Sequence, residues 1–158
     1  MYLSFTRHVL CFVAVLAAFA GEARAQAAPE FQKILETYAA ALDGNDVETL
    51  VGLYAPEGVF MAEGEKAAVG RDALRASYKA IFATLKVGLK FSLQEAEQSG
   101  DLGWARALST GTVKVLATGA ETRNSFNLLV VFRRESGAWK IRSYLYASDK
   151  TASGEVPK

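Results

Sequence analysis

The chain has 158 residues, eighteen lysines and arginines against seventeen aspartates and glutamates, and a formal net charge of +1. No basic stripe and no block of like charges runs through it. Nucleic acid is therefore disfavoured as a partner, because phosphate binding depends on clustered cations.

The only histidine, His8, and the only cysteine, Cys11, fall in a stretch, residues 1–25, that reads as a secretory signal. Arg7 and His8 give a basic start, Val9 to Ala20 is an unbroken apolar run, and Ala23-Arg24-Ala25 supplies the small-x-small cleavage site. Cleavage there leaves a chain with no imidazole and no thiol. That removes histidine acid/base catalysis, cysteine nucleophiles, structural zinc and disulfides. The apolar run is shorter than the ~20 residues a spanning helix needs, and no later run approaches it. An exported protein, periplasmic or secreted and without a stable membrane anchor, is expected. From residue 26 onward sixteen cations balance sixteen anions, and the length suits one domain with a substantial core. Without cysteine, packing alone must hold it.

The domain is expected over residues 26–150, with 151–158 as a loose, small and polar tail. The first helix runs from about Glu30 to Asp43, on a stripe of Phe31, Ile34, Leu35, Tyr38 and Leu42. Gly44-Asn45 stops it, and Asp46 caps a short second helix that buries Val47, Leu50, Val51 and Tyr54 before Pro56 ends it. Gly58 to Glu63 reads as a short strand. Gly70-Arg71-Asp72 opens a third helix carrying Leu74, Tyr78, Ile81, Phe82 and Leu85, which Gly88 closes. Then the period becomes two. Leu89, Phe91 and Leu93 alternate with Lys90, Ser92 and Gln94, and further strands follow over Trp104–Leu116, Asn124–Arg134 and Trp139–Ala147. Turns are expected at Ser99-Gly100-Asp101, Thr118-Gly119-Ala120 and Ser136-Gly137. This order, αα-β-α-ββββ, predicts an α+β fold with the helices on one face of a curved, mainly antiparallel sheet.

In that order, the segments Tyr38–Leu42 with Asp46, Leu53–Phe60, Val69–Leu74, Gly100–Arg106, Val131–Arg134 and Gly137–Ile141 resemble the nuclear-transport-factor-2-like superfamily. The nearest branch is similar to the SnoaL-like and ketosteroid-isomerase-like domains. The resemblance covers nearly all of the chain after the signal. It implies a cone-shaped cystatin-like roll, three N-terminal helices packed on a curved mixed sheet, with a pocket at its open end. It also implies that Tyr38 falls where ketosteroid isomerases place an oxyanion-donating tyrosine. Their catalytic aspartate corresponds to Ala62, with Glu63 one residue further on and pointing to the opposite face. Their second acid lies on a later strand, where residues 127–131 read Asn-Leu-Leu-Val-Val. The His-Asp pair of related domains is replaced by Ser143-Tyr144.

Several residues carry a functional and a plain structural meaning together. Tyr38 and Tyr54 either present a phenol to a ligand or simply fill the core. Glu63, buried in an apolar mouth, would have a raised pKa and act as a base; solvated beside Glu65 and Lys66, it would not. Trp104 and Arg106 share a strand face, which is either concave and able to hold a carboxylate, or an outer, partner-binding face. Asn127 interrupts the apolar run Phe126–Phe132, so a buried amide in contact with ligand or with a neighbouring strand is expected. Tyr144 and Tyr146 share a face and, with Trp139, suggest an aromatic wall. Trp139 and Ile141 read as core anchors, and Arg133-Arg134 as a wet turn. No nucleotide-binding glycine loop and no D-x-D-x-D series occurs, so no cofactor and no metal is expected. The expected function is binding of a small apolar or amphipathic molecule by a homodimer. Two other readings stay open: a cofactor-free isomerase or cyclase-type lyase using Glu63 and Tyr38, and an oligomerisation module.

Overall fold

The computed structural model describes residues 28–151 and 154–155. The expected signal, residues 1–25, and most of the expected tail lie outside the described residues. Helix α1 covers residues 28–43, and its apolar stripe of Phe31, Leu35, Tyr38 and Leu42 is buried. Asn45, in the left-handed region at φ 53°, turns the chain out of it. Asp46 then caps α2 (Val47–Leu53), one carboxylate oxygen accepting from the Thr49 N–H at 3.0 Å and the other from the Thr49 hydroxyl at 2.6 Å.

Tyr54 was expected on the buried face of this helix; instead it is the first residue of β1 (Tyr54–Met61). The residue before Pro56 is pushed out of helical conformation, and the Gly52 carbonyl takes its hydrogen bond from Lys140 Nζ at 2.6 Å. Pro56 therefore sits inside β1, in a bulge. The parallel partner of β1 pairs Tyr54 with Ile141 and next Val59 with Ser143, so residues 55–58 loop out. Gly58 is required there, since a Cβ would stand 2.7 Å from the Cβ of Tyr54.

After the short β2 (Ala68–Val69), α3 (Gly70–Thr84) buries Leu74 and Tyr78 completely. An ion pair couples it to α2: Arg75 donates to Glu48 through Nε at 2.7 Å and Nη2 at 3.0 Å. The expected stop at Gly88 is corrected. The helix ends at Thr84, and β3 (Leu85–Ser99) begins at once. The two-residue alternation already starts at Leu85, and Thr84 O accepts from the Leu116 N–H at 2.9 Å, so the helix end is satisfied by the sheet. Gly88 lies within the strand, where Gly111 passes so closely that a Cβ on it would reach 2.0 Å from the Gly88 carbonyl oxygen.

The remaining strands are β4 (Leu102–Val115), β5 (Glu121–Glu135), β6 (Ala138–Ser148) and the short β7 (Gly154–Glu155). Their order is β2-β1-β6-β5-β4-β3, antiparallel throughout except for β1 with β6, while β7 pairs with the start of β5. Ser136 and Gly137, both at positive φ, turn β5 into β6 as the dipeptide predicts. The helices lie on one face of this sheet, giving the expected α+β roll.

One irregularity decides which side chains meet. Val131 faces Ser143 but Phe132 faces Ile141, so Arg142 is an extra residue in β6. Strict alternation would set Trp139 and Ile141 opposite to Tyr144 and Tyr146. The bulge turns all four toward the helices. Trp139 closes one end of the roll with Phe31, which stacks on Phe132 at 4.1 Å and meets Trp139 edge-on at 5.1 Å. Arg134 is not simply wet: it is half-buried, with its guanidinium 4.7 Å from the centre of the Trp139 ring.

Candidate functional site

All five tyrosines among the described residues gather in the middle of the roll. Tyr38 comes from α1, Tyr54 from the start of β1, Tyr78 from α3, and Tyr144 and Tyr146 from β6. The Tyr78 hydroxyl lies 2.7 Å from that of Tyr38 and 2.8 Å from that of Tyr54, so three buried phenols form one chain with Tyr78 at its centre. Tyr144 stacks on Tyr38 at 4.9 Å, and Phe60 bridges Tyr78, Tyr144 and Tyr146.

Burial sets the chemistry of this cluster. Loss of water pushes the Tyr38 phenol up to about 12, against smaller lowering by hydrogen bonds from its neighbours. Burial, reinforced by neighbouring tyrosines, lifts Tyr54, Tyr78 and Tyr144 well above the ordinary value of 10.0. These phenols are neutral donors at neutral pH. Because the folded values lie above the unfolded one, the neutral cluster contributes its full stability below pH 10. That contribution is lost as pH rises through the folded values. Tyrosinate absorbance and circular dichroism are therefore expected to change together on the alkaline side of pH 10, as buried phenols ionise only when the roll opens.

Beside the cluster is a cavity of about 190 Å³. Its deep wall comprises Tyr38, Tyr144, Phe60 and Ser109, all buried; its outer part comprises Ile81, Leu85, Val113, Asn124 and the exposed Thr122. Asn124 Nδ2 donates to the Thr122 carbonyl at 3.0 Å and its hydroxyl at 2.8 Å, giving the mouth a fixed polar edge. The lining is aliphatic, aromatic, hydroxyl and amide; no charged side chain forms part of it among the described residues.

The residues singled out from sequence separate into two groups. Tyr38 and Tyr144 line the cavity, and Tyr54 lies behind them, wholly buried and bonded to Tyr78. Glu63 does not have the character of a buried base. It is exposed in the turn after β1, and its Oε2 accepts from the Ser148 N–H at 2.7 Å. Hydrogen bonding by Ser148, hydroxyl and backbone alike, holds its carboxyl below the usual range. Trp104 and Arg106 lie on the far face of the sheet, because Ala105, Ala107 and Ser109 are the residues of β4 that turn inward. Arg106 reaches Glu95 there at 3.4 Å. Asn127 is exposed on that same outer face, flanked in β5 by the inward Phe126 and Leu128, so it is not the buried amide expected.

Tyr78 was missed as a site residue and read only as part of a helix stripe. It lies twenty-four and forty residues from its two partners, so no local spacing marks it. Ser109 and Phe126 were likewise recognisable only once the inward face of each strand was known.

Helices over one face of a bent, mostly antiparallel sheet, enclosing an aromatic-walled hollow, define the nuclear-transport-factor-2-like, cystatin-like fold. The chain belongs to the SnoaL-like domain family, whose model matches residues 35–143. Among solved structures it is similar to a ketosteroid isomerase-like protein from Erwinia carotovora atroseptica, at 27% identity and a TM-score of 0.73 over 77% of this chain and 95% of that one. An NTF2-like protein with a cystatin-like fold from Novosphingobium aromaticivorans matches 94% of this chain and 92% of its own, at 21% identity and a TM-score of 0.62. A protein with a cystatin-like fold from Nostoc punctiforme matches at 20% identity and 0.62, over 77% and 90%. No curated protein matches the chain.

Proposed function

We propose that the chain is exported and binds a small, mainly apolar molecule in the cavity under the tyrosine cluster, without converting it. The observation that carries this is the lining itself: an apolar hollow with three neutral phenols, Tyr38, Tyr144 and Tyr146, the first of them joined to a buried hydroxyl chain. Where isomerases of this fold keep their base the chain has Ala62, and the nearest carboxylate, Glu63, is exposed and tied to β6. Mass spectrometry of an organic extract of the gently purified protein tests the proposal. A stoichiometric small molecule is expected, and an empty extract together with no binding of any aromatic probe contradicts it. Glu63→Gln is expected to leave such binding unchanged within about twofold, because its carboxylate stays outside the cavity. Loss of turnover on an identified substrate in that variant would favour the isomerase or lyase reading instead.

A second reading, self-association, is favoured by the outer face of the sheet. Leu102, Trp104, Leu129 and Val131 line a groove of about 590 Å³ there, with Leu102 and Leu129 half exposed. Glu95 and Glu97 lie on its β3 side and Arg133 at its β5 side, so the groove has acids at one edge and a base at the other, an arrangement that a two-fold copy can complement. Light scattering at micromolar concentration is expected to give a homodimer; a larger assembly would favour the oligomerisation role.

A further inference from the structure

The mouth of the cavity lies where β4 and β5 run out into their connecting hairpin, and the outer face of the sheet is basic there. Val87 and Leu89 of β3, Val113 of β4, and Thr122 and Asn124 of β5 turn into the hollow. Successive strand residues point to opposite faces, so Lys86, Lys90, Lys114 and Arg123 stand on the outer side, all of them exposed. They are scattered along the chain, and only the strand register gathers them. Lys86 pairs directly with Lys114, Arg123 with Thr112, and Lys90 with Thr110. The acids nearby are Glu121, opposite Lys114, and Asp43, whose Oδ1 is 3.8 Å from where a Gly88 Cβ would stand. Cations therefore remain in excess. Two lysines set directly across a strand pair repel each other, which an anionic partner would relieve.

The tip of the same hairpin is apolar. Val115 and Leu116 are 38% and 50% exposed, and Val115 pairs with Leu85 at the rim of the cavity. A fixed backbone holds them out. The Val115 N–H donates to the Ala120 carbonyl at 2.8 Å, the Gly119 N–H to the Val115 carbonyl at 2.8 Å, and the Leu116 N–H to Thr84 O at 2.9 Å.

Aliphatic side chains at a tip, with lysines behind them, match a lipid–water interface: the first enter the acyl boundary while the second meet anionic headgroups. We propose that the β4–β5 hairpin docks reversibly on an anionic phospholipid surface, inserting Val115 and Leu116 and setting Lys86, Lys114 and Arg123 against phosphates. The docking does not depend on the binding function proposed above. Where both hold, the cavity mouth is placed against the membrane, and an apolar ligand passes between bilayer and hollow with little exposure to water. A nucleic acid would use the cations but leave the aliphatic tip unused. Self-association through the groove at Trp104 leaves the hairpin free, because Lys114 is about 33 Å further along β4 at the usual rise per residue.

Co-sedimentation with lipid vesicles tests this. The protein is expected to bind vesicles of equimolar phosphatidylglycerol and phosphatidylcholine, less so as salt screens the charges, and not measurably to bind pure phosphatidylcholine. Lys86→Gln and Lys114→Gln are each expected to weaken binding about fivefold, and Val115→Ser with Leu116→Ser about tenfold or more. Leu116→Trp is expected to show a blue shift of its emission on the anionic vesicles. No binding to either vesicle, or equal binding to both, overturns the proposal. So does an unchanged affinity in the double serine variant, or tighter binding to a duplex oligonucleotide than to the anionic vesicles. If the double serine variant does not fold, the lysine variants and the two lipid compositions decide the matter alone. Vesicle binding by a protein whose organic extract is empty removes the pocket's function and leaves the docking standing; a filled pocket without vesicle binding does the reverse.

Discussion

Phe31→Ala is expected to lower the unfolding free energy by about 3–5 kcal/mol, the usual cost of emptying a buried aromatic site. Phe31 is fully buried, stacked on Phe132 and edge-on to Trp139, and it holds the first helix against the closed end of the sheet. Domains of this size have about 5–15 kcal/mol to lose, so the variant should be near its unfolding limit at body temperature. The same contact explains a glycine. A Cβ at position 103 would stand 2.4 Å from Phe31 Cζ, on the floor on which the ring rests. Gly103→Ala is thus expected to cost about 1–3 kcal/mol through overpacking, but much less when Phe31 is already alanine. Urea melts of both single variants and the double one check this coupling. Simple additivity would mean that the ring and the strand do not touch as described.

Tyr78→Phe is expected to cost about 2–4 kcal/mol, more than Tyr54→Phe. A single change at the centre of the hydroxyl chain breaks two hydrogen bonds, whereas a change at Tyr54 breaks one, and Tyr38 keeps the Tyr144 hydroxyl as a partner. Each intact bond is worth about 1 kcal/mol net, and an orphaned buried hydroxyl costs about 1–3. The two orphans are not equal. Tyr38 borders the cavity, where water can reach it, while Tyr54 is completely enclosed. Most of the loss therefore belongs to Tyr54. The double variant Tyr54→Phe, Tyr78→Phe is expected to be no less stable than Tyr78→Phe alone, since the second change removes the stranded group. Chemical melts of the three proteins measure this. A double variant with the sum of the two single costs would show that the phenols act independently.

How far this architecture could be anticipated differs from residue to residue. The alternation Leu89, Phe91, Leu93, the Asp46 cap and the Ser136-Gly137 turn are local devices, and all appear where their residue types place them. The junctions at Tyr54 and Gly88 failed because a helix passes directly into a strand at both. Their ends are satisfied by distant partners, Lys140 and Leu116, which no window of neighbouring residues contains. Asn127 misled for another reason. The stretch Phe126–Phe132 is apolar on both faces, because the outer side of the sheet carries Leu129 as well, so a polar residue within it passed for a buried one. For the same cause the sequence pattern around Trp104 and Arg106 fits either face equally. The tyrosine cluster was half visible. Tyr38 and Tyr144 stood out, but their meeting depends on the Arg142 bulge, and Tyr78 joins Tyr38 and Tyr54 only through tertiary packing.

A crystal structure of the protein soaked with acetophenone tests most directly whether the hollow between helices and sheet is the working site. The probe is expected between Phe60, Ser109 and Tyr144. A hollow filled by the protein's own side chains, or a probe found only against Trp104 on the outer face, would contradict it.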